Sequence, residues 1–558
     1  MALRVGILCN GTVFQHWQAE AIRHVLQVPG VEIVLLVIDG RVSDPDRSEK
    51  RLPGELGTLL YRKYRERWFG SKAMESDDLS TELAHVARME CAPVIDRKKE
   101  RFTDPDLAAI RAYRPDVLLR FGFNILAGEV LQLPTYGVWS FHHGDEQRFR
   151  GGPPGFWEIM RRSRVTGAIL QRLTERLDGG RILRKGWFAT IDHSLKETVD
   201  TVLLHTAIWP AQVMRELIAG KTDASTGEEA KDLGRLYRYP GNFTFIRFLF
   251  RSLRNKLRFH RRELNEHEEW NIGVLHQPIT VLLEDEASLN VRWLPSPSPN
   301  NFRADPFGYT TEDGTLNVLY EKFDHSTARG EIARVRPRRD GVLKRSRTML
   351  TGGLHYSYPY VVQRKGNVFV IPECAAAESV ELYRLNESND GLDRIATLLN
   401  EPLFDPTLFE HEGRWWLFGT KAPLTNVALF AFHSDRFEGP YTPHLLNPIK
   451  FDIRSARPGG TPFVKDGVLW RPGQDSSRTY GGRIALNRIE ELTPAAFRET
   501  TVKFVEPFKG SAYDKGVHTI AAVGDITLVD GKRFVTVEQR KALVRKRKLD
   551  RLKRVTAT

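Results

Sequence analysis

Five segments in the second half of the chain repeat at a spacing that few folds accommodate. They are ADPFGYTTEDGTLNVLYE from Ala304, YPYVVQRKGNVFVIPE from Tyr358, DPTLFEHEGRWWLFGT from Asp405, TPFVKDGVLWRPGQD from Thr461 and HTIAAVGDITLVDGK from His518. Each has a short apolar strand, a Gly-containing turn and a second apolar strand. Anchored on Pro306, Pro359, Pro406, Pro462 and His518, the separations are 53, 47, 56 and 56 residues. A period near fifty with several strands per repeat is the signature of propeller blades, because one small sheet cannot bury its faces alone whereas stacked neighbours can. The pattern predicts an all-β five-bladed propeller over 269–536.

Blade geometry then selects residues. The innermost strand of each blade lines a central channel, so polar side chains at those strand starts converge on the axis. Here they are Asp305, Asp405 and His518, with Glu321 and Glu373 at the ends of second strands. These five are the candidate substrate-binding residues of the propeller. Two carboxylates across a pocket are also what glycoside hydrolysis needs. Asp-Pro starts strands for local reasons too, since Asp suits turns and Pro tolerates strand beginnings.

The first half has a different texture. A strand at Arg4 to Cys9, a helix through Gln18 to Leu26 and a strand at Val31 to Val37 form a βαβ opening. That predicts an α/β doubly wound, Rossmann-type parallel sheet, so the chain is multidomain. Asn10-Gly11-Thr12 lacks the GxGxxG pattern, and a dinucleotide is not indicated. Asp39 to Arg101 reads as a charged insertion with a helical stretch near Leu59 to Phe69. A single helix is expected over Leu195 to Leu217, closing the domain near Ala219.

Polar residues gather between Arg114 and Gly180. PDVLLRFGF, Pro115 to Phe123, reads as a buried strand delivering its C-terminal end to a cleft. In GVWSFH the strand alternation places Ser140 and His142 on one face. Asp178 precedes two glycines, which lets backbone approach closely and leaves the carboxylate facing a cavity. A carboxylate beside an imidazole favours its protonated form, and a cationic His with a neighbouring hydroxyl can stabilise an oxyanion. A histidine on a strand is also commonly a satisfied structural residue.

This stretch resembles the folate-dependent formyltransferase family, which includes methionyl-tRNA formyltransferase, glycinamide ribonucleotide formyltransferase and amino-sugar N-formyltransferases. The family signature is Asn-x-His, a short loop to Arg-Gly with small and Pro residues, and an Asp in a Leu-Asp-x-Gly turn. The same frame here is Ser140-Phe141-His142, Arg150-Gly151-Gly152-Pro153-Pro154 and Leu177-Asp178-Gly179-Gly180, with Ser140 standing where the family has Asn. The resemblance implies attack of an amine on the formyl carbon of 10-formyltetrahydrofolate. His142 would stabilise the oxyanion, and Asp178 would hold His142 charged and help move the amine proton through water. FGFNILA, Phe121 to Ala127, resembles the segment that flanks the pterin, which implies that Phe123, Asn124, Ile125 and Leu126 bind the folate, chiefly through backbone groups.

The repeat region resembles the five-bladed propellers of family 43 glycosidases and, more closely, the propeller domain of glucosamine inositolphosphorylceramide transferases. That likeness rests on Ser357-Tyr358-Pro359-Tyr360, Glu381-Leu382-Tyr383-Arg384 and Gly516-Val517-His518-Thr519. Together the two resemblances imply N-formylation of an amino-sugar nucleotide or glycan precursor by an enzyme with a carbohydrate-binding propeller. The alternatives are a glycan-processing hydrolase and a non-catalytic glycan-binding scaffold, each with a degenerate formyltransferase domain.

With 558 residues the chain exceeds one ordinary core. The divisions are 1–220 for the formyltransferase-like domain, 221–268 for a linker with a basic helix, 269–536 for the propeller and 537–558 for a basic tail. Three cysteines, Cys9, Cys91 and Cys374, have neither metal spacing nor a disulfide framework, so no metal is expected and a reducing cytoplasm fits. MALRVGILCNG reads as a first strand, without signal-peptide anatomy. The net charge of +13 favours an anionic partner, but Arg540 to Arg554 holds nine Lys or Arg against Asp550 alone. A propeller in place of the tRNA branch's small barrel makes nucleic acid an unfavoured partner. Thr244 to Leu264 sets Phe245, Phe248, Leu249, Leu253 and Leu257 at helical spacing among arginines. Such a helix either lies on an anionic membrane, here at its inner face, or packs between two domains.

Overall fold

A computed structural model describes residues 2–43, 55–96, 99–176, 179–222, 228–229, 234–298, 300–337 and 346–536. Asp178 and the basic tail 537–558 lie outside the described residues. The chain divides into two compact units, Met1–Arg258 and Phe259–Thr558.

Unit 1 is built on an eight-stranded sheet. Its strands are β1 (Leu3–Cys9), β2 (Val31–Asp39), β3 (Ala87–Cys91), β4 (Val117–Arg120), β5 (Val138–His142), β6 (Val165–Arg172), β7 (Arg181–Ala189) and β8 (Glu228–Glu229). They lie in the order β3-β2-β1-β4-β5-β6-β7-β8. The pairs from β3 to β5 are parallel, and β6 to β8 add antiparallel partners. Val117, Leu118 and Leu119 are buried without polar alternation, as a strand covered on both faces requires. The helix α1 (His16–Leu26) follows β1, and α2 (Asp104–Ala112) packs Leu107 and Ile110 into a cluster with Leu8, Leu35, Val37 and Leu118.

A second cluster joins Trp17 of α1 to α3 (Phe156–Arg161) and α4 (Leu195–Thr206). The single helix expected over Leu195 to Leu217 is in fact two, α4 and α5 (Trp209–Ile218). Pro210 accounts for the break: it has no N–H to give Thr206 and its ring crowds that carbonyl, so it is accommodated in the first turn of α5. The charged insertion supplies an edge strand, β3, as well as the anticipated helix at Leu59–Arg67. The last helix, α6 (Asn242–Asn265), buries Phe245 and Phe248 in the α1/α3/α4 cluster. Each full burial is worth about 1.5–3 kcal/mol.

Unit 2 consists of five antiparallel sheets. Four follow in chain order, from Asn301–Thr310 to Arg347–Leu350, Ser357–Arg364 to Leu392–Leu399, Phe404–His411 to Thr442–Pro443, and Phe463–Lys465 to Ala496–Val505. The fifth draws on both flanks of the unit: His267–Leu275 pairs along its whole length with Ile526–Val535, from His267 opposite Val535 to Leu275 opposite Thr527. Arg292–Trp293 and Ile520–Val523 complete that sheet.

One backbone device recurs in three consecutive sheets. Asp305, Tyr358 and Asp405 have φ of 51°, 43° and 50°, each stands immediately before a proline, and each interrupts the pairing register of its first strand. A left-handed non-glycine residue costs roughly 1–2 kcal/mol, so its recurrence requires compensation from the surroundings. All three cysteines are free and buried. Among the described residues no helix is long and apolar enough to cross a membrane.

Candidate functional site

In unit 1 the chain order reverses direction between β1 and β4, and in open α/β sheets ligands bind beyond the carboxyl ends of strands at such a switch point. There the turn after β4 packs against the end of β1: a Cβ at Gly122 would lie 2.7 Å from Asn10 Oδ1 and 2.7 Å from the Cys9 carbonyl carbon. Beside it, β5 ends in Ser140, Phe141 and His142. Ser140 pairs in register with Arg120 of β4, and the strand alternation sets Ser140 and His142 on a common face.

The Ser140 hydroxyl, buried at 2% exposure, accepts hydrogen bonds from Arg120 Nη2 at 2.9 Å and Nε at 3.1 Å. Arg120 Nη1 donates to the Asn124 carbonyl. One guanidinium therefore joins the strand that carries His142 to the segment expected at the folate. Arg120 was not among the residues selected from the sequence, although a lone charge ending the apolar run VLLR was a usable signal.

The segment Phe123–Leu126 is held from below. Glu100, 1% exposed, accepts from the Asn124 backbone N–H at 2.8 Å and from its side-chain amide at 2.7 Å. Arg41 donates to Glu100 at 2.9 Å and to both oxygens of Asp39 at 2.7 and 2.8 Å. Ile125 and Leu126 pair with Lys99 and Glu100, Leu126 is in the core, and Phe123 packs on Phe102. The backbone N–H of Asn124 and one N–H of its side-chain amide are thus spent within the protein.

The two adjacent histidines have separate surroundings. His143 stacks on Phe141, meets Trp17 edge-on and approaches Thr206 Oγ1 at 3.2 Å; burial, then the neighbouring His142, pushes its pKa down to about 3. It is a neutral, half-buried residue. His142 lies against Gly144, where a Cβ would come within 2.9 Å of His142 Nε2 and 2.5 Å of the Phe149 carbonyl. Only glycine leaves the imidazole this room. Nearby, a small recess is lined by His143, Arg150, Pro153, Trp157, Glu158 and Tyr237, and burial raises the Glu158 carboxyl to about 7.

In unit 2 the predicted polar residues gather in one buried cluster. Asp305, Glu321, Glu373, Asp405 and His518 are all at most 6% exposed. Four groups missed by sequence reasoning complete it. Asp530 accepts from the backbone N–H groups of Asp305, His518 and Thr519 at 3.2, 2.9 and 3.1 Å, and lies 2.5 Å from His518 Nδ1. Arg457 binds Asp405 through Nε at 2.5 Å and Nη2 at 3.0 Å, with Gln474 adding a bond at 2.7 Å. Glu373 accepts from the Asp405 N–H at 3.0 Å. The left-handed turns at Asp305 and Asp405 are thus each secured by a carboxylate from another sheet. Tyr480, 36% exposed, stands edge-on to His518 and 5.2 Å from the Arg457 guanidinium.

Burial sets the protonation of this cluster. It raises Glu321 well above the carboxylate range and, with Asp405, lifts Glu373 to about 8. Asp305 rises to about 6, burial being partly offset by His518. Burial alone would depress His518, but Asp530 and Asp305 hold it up at about 9. Neutral acids beside a cationic histidine offer donors as well as acceptors to a polyol.

Comparison with known proteins divides the chain along the same lines. Residues 292–536 match the family model described as "Glucosamine inositolphosphorylceramide transferase 1, N-terminal". Proteins of that name from Oryza sativa subsp. japonica and Arabidopsis thaliana are 32% identical over 251 residues and 34% over 258, covering 42% and 43% of this chain and 34% and 33% of theirs. A methionyl-tRNA formyltransferase from Bacillus subtilis is 27% identical over 143 residues, 25% of this chain and 43% of that protein. The chain thus spans about a third of the former relatives and less than half of the latter. Among solved structures, glycinamide ribonucleotide transformylase 1 from Symbiobacterium toebii shares 16% identity over 39% of this chain and 89% of its own, at a TM-score of 0.27. A family 117 glycoside hydrolase from Zobellia galactanivorans shares 11% over 48% and 91%, at 0.31. The chain joins a formyltransferase-like first half to a second half similar to the N-terminal part of glucosamine inositolphosphorylceramide transferases.

Proposed function

We propose that unit 1 transfers a formyl group from 10-formyltetrahydrofolate to the amine of an amino-sugar nucleotide or glycan precursor. The five sheets of unit 2, in this reading, close as a five-bladed propeller and bind the carbohydrate. The observation that carries the proposal is the Ser140–Arg120–Asn124 linkage: it ties the strand that bears His142 to the segment expected at the folate, next to the switch point of a parallel sheet.

The amine nitrogen attacks the formyl carbon, and the C–N10 bond to the folate breaks. The amine proton leaves through water toward N10, giving a formamide and tetrahydrofolate. His142 stabilises the tetrahedral oxyanion and Asp178 holds the imidazole charged. The family's amide donor is absent at residue 140, and in this reading the Arg120 guanidinium bonded to the Ser140 hydroxyl supplies positive charge in place of that neutral donor.

The cluster in unit 2 favours binding over hydrolysis. Asp405 is neutralised by Arg457, Asp305 accepts from the Thr519 hydroxyl, Glu373 and Asp530 are committed to backbone N–H groups, and burial favours the protonated form of Glu321, so none is disposed as a water-activating base. The test is release of tetrahydrofolate by the purified full chain, given 10-formyltetrahydrofolate and a panel of amino-sugar nucleotides. Release lost in both His142→Ala and Asp178→Ala supports the reading. No release with any acceptor, or unchanged release by His142→Ala, removes it.

A further inference from the structure

The helix α6 has two apolar faces, and among the described residues only one of them is covered. Phe245 and Phe248, at 3% and 2% exposure, are inside unit 1. Phe243, Ile246, Phe250, Leu253 and Leu257, spaced by three, four, three and four residues, form a second stripe and are 73%, 40%, 70%, 56% and 63% exposed. It runs for about 21 Å along the helix. The exposure does not come from a loosely held element. Arg251 Nη1 donates to the Met160 carbonyl at 2.7 Å, Asn255 Nδ2 to the Asp192 carbonyl at 2.8 Å, and Arg258 Nη2 to the Asp192 carboxylate at 2.7 Å.

Charge identifies what this stripe meets. From Asn242 to Arg262 the helix carries seven Lys or Arg and no Asp or Glu. A second copy docked stripe to stripe would bring the same basic residues face to face, at a repulsive cost. Burial and the like charges of Arg162, Arg247 and Arg254 already lower the pKa of Arg251. An anionic surface reverses that sign. A helix with bulky apolar groups on one side and Lys/Arg beside them lies in the plane of a bilayer, its apolar groups in the headgroup–acyl boundary and its cations on lipid phosphates.

We infer that α6 docks unit 1 on an anionic membrane surface, with Phe243, Phe250 and Leu253 entering the bilayer and Arg247 and Arg254 meeting the phosphates. The inference rests on α6 alone and stands apart from the formyl-transfer reading.

The experiment is sedimentation of the full chain with vesicles of phosphatidylcholine, alone or mixed with phosphatidylglycerol. Binding is expected to the mixed vesicles, weakened by salt, and at least about tenfold lower in Phe250→Ser/Leu253→Ser. Arg247→Gln/Arg254→Gln should bind both vesicle types equally weakly. Thermal unfolding should stay unchanged in both variants, since the altered side chains are solvent-facing. Equal binding of the unaltered chain to both vesicle types, full binding by Phe250→Ser/Leu253→Ser, or a self-association that this variant abolishes would each overturn the inference. Tetrahydrofolate release in solution should be the same in the unaltered chain and both variants, so the two proposals fail separately.

Discussion

Arg120 and Ser140 sit side by side on neighbouring parallel strands, with two guanidinium N–H groups 2.9 and 3.1 Å from one hydroxyl oxygen. Removing the guanidinium leaves that buried oxygen without its donors, at a cost of about 1–3 kcal/mol. Arg120→Met is expected to lower kcat/KM for formyl transfer by about ten- to hundredfold. Ser140→Asn should also lower it, because the larger amide meets the guanidinium, whereas Ser140→Asn/Arg120→Met should exceed either single variant. Additivity of the single effects within about 0.5 kcal/mol would show that the pair does not act as a unit.

Gly144 is the second lever on His142. A methyl group there would fall 2.9 Å from the imidazole Nε2 and 2.5 Å from the Phe149 carbonyl, so Gly144→Ala must turn the ring or shift the loop. Formyl transfer should fall at least about tenfold with little change in KM, the mark of a misplaced catalytic group. Wild-type kcat in this variant would mean that the ring orientation does not govern the rate.

In unit 2, Arg457 neutralises Asp405 in a site where both side chains are at most 10% exposed. Breaking a buried pair from one side typically costs about 3–5 kcal/mol, because the remaining charge is uncompensated. Arg457→Met should therefore lower the calorimetric unfolding temperature markedly, and Arg457→Met/Asp405→Asn should recover much of the loss. Equal stability of the single and double variants would contradict the pairing.

The cluster also gives stability a pH dependence with a definite sign. His518, held up at about 9 against burial by Asp530 and Asp305, contributes stability that is complete below its ordinary pKa near 6.5 and lost as pH rises through 9. Glu373, raised to about 8 by burial and Asp405, keeps a proton that the unfolded chain has already released, so it acts in the same sense. Glu499 is opposite: Arg471 and Lys450 outweigh burial and hold it near 2, so its contribution is lost as pH falls from about 4.5 toward 2. Calorimetry from pH 7 to 10 should show falling stability, with a shallower slope in His518→Gln. A rise over that range would contradict the assignment.

Legibility in the sequence followed the range of the interactions. The repeat around Pro306, Pro359 and Pro406 located first strands because strand alternation and turn residues are local. The left-handed turns before those prolines were not legible: the compensating Asp530 and Glu373 come from other sheets. Ser140 and His142 could be placed together because two residues on one strand share a face, while Glu100 beneath Asn124 lies in an insertion whose strands gave no motif. The helix break before Trp209 was announced by Pro210 and still overlooked in favour of apolar periodicity. Asp530, a charge inside the apolar run ITLVDGK, was the clearest unused signal, since a buried charge in a strand requires a partner.

The pairing of His267–Leu275 with Ile526–Val535 governs how unit 2 can be made. During synthesis the opening strand leaves the ribosome long before its neighbour exists, and four sheets can complete their local hairpins while it waits. Until the closing strand arrives, the nascent polypeptide displays a bare β-edge, the form most exposed to mispairing with another molecule. Translation halted before Ile526 would leave that edge permanently open, so truncated products should aggregate rather than accumulate as a soluble four-sheet remnant.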